Sequence, residues 1–201
     1  MNAKSLLSAA CCALLFATTP SQADEKAVAP VKLEQQKQVA PWTSAELKKL
    51  KNGLKLTWQH DTGVSVEGKP LTKTQILEIT AIEGETMQWQ VTREILSVGT
   101  QGVQRQTHVL KSEGAASEFV EEAVLRALPL TSECKVSDAT LQVLGKDQKC
   151  SKVSFTGKNE DGIEVAETWW FLKDKPGVCA RYERATGGKT GETLTLSKLE
   201  E

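Results

Sequence analysis

Aromatic residues make up only 5% of this 201-residue chain, with five tryptophans but a single tyrosine. Histidine is scarcer still: His60 and His108 are the only two, far apart in sequence. There is no C-x-x-C and no H-x-x-x-H, so the ligand spacing of a zinc site is missing, and neither metal nor cofactor is expected. The chain also lacks G-x-S-x-G, H-E-x-x-H and any glycine-rich loop opening a helix, the usual marks of hydrolases, metalloproteases and nucleotide binders. Cys179 and His108 have the residue types of a nucleophile and a base, but so few of each type coincide easily. The expectation is therefore a non-enzymatic protein. Excess charge of either sign is absent too, with a formal balance of -1, which gives nucleic acid or an anionic membrane no global attraction. No apolar run approaches the roughly 20 residues a membrane-spanning helix needs.

The one apolar run present lies at 6–17, behind Lys4 and ahead of Ser21, Ala23 and Asp24. A short positive start, an apolar middle and small residues before a cut form a secretory leader. Cleavage is expected after Ala23, giving a periplasmic or secreted product. Leu7 sits one place too early to make a lipid-attachment site of Cys11. Loss of Lys4 takes the balance from -1 to -2. Residues 24–42, rich in Lys, Gln, Glu, Ala and Pro without apolar periodicity, read as a flexible tether. Residues 43–201 then form one domain, long enough to bury a core.

That domain reads as mainly β. Thr43 or Ser44 can cap a short helix over 45–51, stopped by Asn52-Gly53. Leu54, Leu56, Trp58 and His60 alternate with polar residues, the period of a half-buried strand, which Asp61-Thr-Gly63 ends. Further strands are expected over 72–82, 86–97 and 103–111. A turn centred on Gly84 places Ile79 opposite Trp89 and Leu77 opposite Val91. One centred on Gly99 places Val91 opposite Thr107 and Arg93 opposite Arg105. One face then holds Leu77, Ile79, Ala81, Met87, Trp89, Val91 and Val109, the consistency expected of a meander. Ser117 caps a helix near 117–128, stopped by Pro129. A second meander covers 136–144, 149–157, 163–173, 178–184 and 193–199, with Pro176-Gly177 in a type II turn. Its apolar face gathers Ala139, Leu141, Val143, Val153, Phe155, Val165, Trp169, Phe171, Ala180 and Tyr182. The fold class is a curved antiparallel meander or incomplete barrel covered by one or two helices.

Three charges fall on these apolar faces: Arg93 and Arg105 in the first meander and Glu167 in the second. Charge on a core face is costly unless paired or hydrated. These residues either anchor a ligand in an apolar pocket, reach solvent at an open rim with their stems packed, or form a structural pair between Glu167 and one arginine. Trp89, Trp169 and Phe171 line a pocket if one exists, and are core otherwise. Past the leader three cysteines remain, so an oxidising compartment favours one disulfide and one thiol. Cys150 and Cys179 flank the strand that holds Trp170, and second-neighbour strands are about 9.6 Å apart, beyond the roughly 7 Å a bridge tolerates. Cys134, ahead of its strand, can fold back, so the expected bridge is Cys134–Cys150.

The runs Lys149-Cys-Ser-Lys-Val-Ser-Phe155, Glu167-Thr-Trp-Trp-Phe171 and Lys173-Asp-Lys-Pro-Gly-Val178 place a cysteine-bearing strand, a tryptophan-bearing strand, a Pro-Gly turn and a returning strand in order. This resembles periplasmic families of the LolA-like type, the outer-membrane lipoprotein carrier fold. The resemblance implies a strongly curved sheet with helices as a lid over a hydrophobic cavity. No site residue transfers from it. The function expected is an extracytoplasmic carrier-type domain for an apolar or amphipathic ligand such as an acyl chain, with Trp89, Arg93, Arg105, Glu167, Trp169 and Phe171 at the site. The alternative is an envelope interaction protein with a filled core.

Overall fold

Period-two alternation decides most of this chain. In the computed structural model, which describes residues 42–100, 102–123, 134–159 and 161–201, Leu54, Leu56, Trp58 and His60 are all buried as their spacing requires. They belong to or precede β1 (Lys55–Val66), which is followed by β2 (Lys69–Glu83), β3 (Thr86–Gly99) and β4 (Gly102–Ala115). The helix α2 (Ala116–Ala123) comes next, then β5 (Lys135–Val143), β6 (Lys146–Lys158), β7 (Glu164–Leu172), β8 (Cys179–Thr186) and β9 (Lys189–Glu200). A one-turn helix, α1 (Ser44–Leu47), precedes them all. The leader, most of the tether, and residues 124–128 of the second expected helix lie outside the described residues.

The nine strands form one open antiparallel sheet in the order β4-β3-β2-β1-β9-β8-β7-β6-β5. Two meanders are thus joined through a single ladder, β1 against β9, at the centre of the sheet. One face carries Leu56, Leu77, Val91, Leu194, Tyr182 and Trp169, which are directly paired or adjacent across the strands and buried. We call it the inner face, because both helices lie on it. Phe119, Val120 and Ala123 of α2 are fully buried, and Phe119 meets Trp89 edge-on at 5.8 Å. Trp42, just before α1, meets Phe171 edge-on at 4.4 Å. α1 itself is fixed by a capping box: Glu46 N–H donates to Thr43 Oγ1 at 3.3 Å and Thr43 N–H to Glu46 Oε2 at 2.7 Å. This satisfies donors that a helix start leaves over.

The register of β2 on β3 is the one expected, with Leu77 opposite Val91 and Ile79 opposite Trp89, up to a bulge at Thr80. Beyond it Ile82, not Ala81, faces Met87. Two other registers differ from expectation. β3 and β4 close with Gly99 opposite Gly102, so the turn lies beyond Gly99 rather than on it. Arg93 therefore faces His108, and Arg105 faces Leu96. The slip is odd, and with a side-chain period of two it moves β4's residues to the other face. Leu110 takes the inner place opposite Val91, and Val109 points outward. β5 and β6 turn at Leu144-Gly145, with φ of 55° and 74°, earlier than the expected Gly145-Lys-Asp147. Ala139, Leu141 and Val143 then lie on the face of Cys150, opposite to that of Val153. β1 and β2 also run further than expected, to a turn at Glu67-Gly68 where both residues have positive φ, 52° and 75°.

The Cys134–Cys150 bridge is not formed, and no disulfide is present among the described residues. The register explains this. Lys135 faces Ser154, so Cys134 sits level with Phe155, roughly 16 Å along the strand from Cys150, far outside bridging distance. Cys150 and Cys179 are both fully buried, and burial pushes both thiols above the ordinary cysteine range.

Candidate functional site

The inner face is apolar toward the end where the helices pack and polar across its middle. The ladders place Trp58, Gln75, Arg93 and His108 in one row across β1 to β4. His60 faces Lys73 on one side and Leu194 on the other, and Leu194 faces Tyr182. One step further along, Glu192, Arg184 and Glu167 face one another in β9, β8 and β7. These residues make a diagonal polar band.

Within the band several opposite charges pair. Arg93 Nη2 pairs with Glu122 Oε1, a residue of α2, and Gln75 Nε2 donates to the Glu122 carbonyl at 3.2 Å. The helix end thus sits where the sheet turns polar. His60 Nε2 lies 2.8 Å from Glu192 Oε1, with the imidazole only 4% exposed. The Tyr182 hydroxyl donates to Glu167 Oε1 at 2.9 Å, and Arg184 Nε lies 3.9 Å from the same oxygen. Burial draws the Arg93 guanidinium below the usual arginine range, but an arginine stays cationic throughout the physiological range. Six buried side-chain nitrogens, His60 Nδ1, Trp89 Nε1, Arg93 Nε, Trp169 Nε1, Arg181 Nε and Arg184 Nε, have no hydrogen-bond partner among the described residues. Trp58 Nε1 by contrast donates to the Cys179 carbonyl at 2.9 Å.

The six residues singled out from sequence fall in separate places. Trp89 and Arg93 lie on the inner face of β3. Glu167, Trp169 and Phe171 lie on the inner face of β7, five strand positions away in the sheet order. Arg105 leaves the inner face altogether: its Nη1 donates to the Thr72 carbonyl at 2.9 Å on the outer side, with Glu94 Oε2 at 3.4 Å. Trp89, Trp169 and Phe171 are 3%, 0% and 1% exposed, and Trp169 packs against Tyr182 with centroids 5.5 Å apart. His60 and Gln75 were findable, since each is a polar residue at a buried position of an alternating strand. Glu122 and Glu192 carried no such signal, because their partners Arg93 and His60 lie far away in the sequence, whereas Arg184 meets Glu167 across the β7–β8 ladder.

Opposite charges thus meet within the band, Arg93 with Glu122 and Arg184 with Glu167. Among the described residues no group of three or more His, Cys, Asp or Glu is placed to hold a metal. Away from the band, an open cleft of about 630 Å³ lies at the strand ends, with Leu144, Leu172, Leu196 and Leu199 as apolar lining and Lys146, Lys175 and Lys198 among its polar residues. No helix is long and apolar enough to cross a membrane among the described residues.

No protein-family model matches the sequence, and no curated protein matches it either. Solved structures do. MucB in complex with MucA(peri) aligns at 14% identity over 78% of this chain and 52% of that one, with a TM-score of 0.47. The Pseudomonas aeruginosa MucA/MucB complex aligns at 12% identity over 78% and 56%, with a TM-score of 0.45. MucB alone gives 12% identity, the same coverages and a TM-score of 0.43. The chain spans about half the length of these structures, and the likeness is one of backbone arrangement.

Proposed function

We propose that this chain is a non-enzymatic, extracytoplasmic interaction module of the cell envelope whose core is filled by its own side chains. The observation that carries this reading is the burial of the aromatic residues suited to a ligand cavity. Trp89 rests against Phe119, Phe171 against Trp42 and Trp169 against Tyr182. The charges beside them are taken up in pairs, Arg93 with Glu122 and Arg184 with Glu167, so Arg93 and Glu167 serve the fold before any ligand headgroup. The extracytoplasmic setting rests on the leader pattern at residues 1–23.

A second reading keeps an apolar or amphipathic ligand. The cleft lined by Leu144, Leu172, Leu196 and Leu199, with Lys146, Lys175 and Lys198 among its polar residues, has the chemistry of a site for an anionic amphiphile. Native mass spectrometry of purified protein, with and without added oleate, separates the two. The interaction reading expects empty protein that oleate does not load, together with a protein partner recovered by crosslinking in cells. Stoichiometric oleate, lost on Leu172→Lys, would move the assignment to a carrier.

A further inference from the structure

β4 forms one edge of the sheet over 14 residues. Its ladder to β3 runs without a bulge from Thr86–Ala115 to Gly99–Gly102, and it contains no proline. A long, regular edge strand presents a row of unpaired backbone N–H and C=O groups that template a further strand; short length, bulges and proline are defences of the backbone itself, while edge charges defend only against a strand whose charges do not match. β4 has none of these three. It also leaves Val103, Val109 and Leu110 exposed by 37%, 55% and 53%.

The side chains indicate which strand fits. We propose that β4 pairs antiparallel with β4 of a second copy, about a two-fold axis through Val109. A two-fold axis normal to the sheet returns each face onto itself, so it must pass through a residue and not between two. With the axis at His108, Arg105 meets Lys111 twice and like charges repel. With the axis at Thr107, Arg105 meets Val109 and Val103 meets Lys111, which pairs charge with apolar surface. With the axis at Val109, Arg105 meets Glu113 of the other copy and Glu113 meets its Arg105. Val109 then meets itself, and Leu110 meets His108 on the inner face. Opposite charges and apolar pairs directly across strands stabilise; like charges destabilise.

The charged groups are available for this. Arg105 and Glu113 both lie on the outer face, opposite Leu96 and Gln88. Arg105 uses Nη1 toward Thr72 and Glu94, which leaves further guanidinium donors. Glu113 Oε2 accepts from Gln88 Nε2 at 3.2 Å, and a carboxylate has capacity for more. Pairing in this register joins two nine-stranded sheets into one. It does not depend on whether the domain also binds another protein.

Sedimentation velocity of the purified protein over a concentration series tests the proposal. The expected result is a monomer–dimer equilibrium. Arg105→Glu and Glu113→Arg each weaken it by about tenfold or more, and the double exchange R105E/E113R restores it. Val109→Cys forms an intermolecular disulfide under mild oxidation, whereas Thr107→Cys, facing Lys111, does not. Circular dichroism identifies any variant that fails to fold, and the remaining variants then carry the test. A wild-type chain that stays monomeric overturns the proposal, as does a dimer indifferent to both charge reversals. A swap that does not restore pairing, or crosslinking at 107 in place of 109, overturns the register.

Discussion

Gly177 holds a φ of 83° in the turn between β7 and β8. A Cβ there would stand 2.6 Å from Leu47 Cδ2 and 2.9 Å from Val120 Cγ2. Gly177→Ala therefore combines an unfavourable backbone with overpacking against both helices, and is expected to cost roughly 2–4 kcal/mol in urea unfolding. The Pro-Gly pair made this turn legible in the sequence. Glu67-Gly68 was not legible, because glutamate is a poor choice for a position with positive φ. Glu67→Asn should accordingly raise stability by about 0.5–1 kcal/mol, read as a shift of the denaturation midpoint at unchanged slope. Cys150 and Cys179 combine full burial with raised thiol pKa values. Both should resist a thiol reagent at neutral pH in the native state and react only after denaturation, as peptide mapping of the labelled protein would show.

Among the elements, α1 depends most on local chemistry. Its four residues are too few to form a stable helix alone, so the capping box and the packing of Leu47 hold it. The Thr43 N–H and hydroxyl hold the Glu46 carboxyl below the ordinary glutamate range. A depressed carboxylate stabilises fully above its unfolded value, about 4.3, and loses that contribution as pH falls through its folded value. The stability gap between wild type and Glu46→Ala should therefore shrink in acid, and a gap that widens would refute the cap. Strands were legible wherever apolar alternation met an unambiguous glycine turn, as at Gly84 between β2 and β3. Register failed at β3–β4 and β5–β6, where several glycines or flanking residues offer the pivot. A slip of an odd number there exchanges faces without changing the strand pattern. That single ambiguity placed Arg105 and Ala139 on the wrong side.

At the scale of the whole molecule, the polar band couples strands from both meanders. Removing one member of a buried pair leaves the other without its partner, whereas removing both can be nearly neutral. Glu192→Leu should cost about 1–3 kcal/mol by abandoning the His60 imidazole, and His60→Leu/Glu192→Leu should recover much of it. A double-mutant cycle in guanidinium measures the coupling, and additivity would dissolve the pair. The band was invisible in the sequence for a plain reason: Arg93 meets Glu122 only once α2 packs on the sheet, and His60 meets Glu192 only once β1 joins β9. That junction also orders events in time. Hairpin ladders close short loops, but at the seam Ser197 Oγ reaches the Thr57 carbonyl across 140 positions. Closing so long a loop costs roughly 3 kcal/mol more than closing a hairpin, so each meander can assemble early while the seam sets the pace of folding. A chain emerging N-terminus first would then hold its first meander with β1 still an open edge while the second meander forms, waiting for the last strand to arrive.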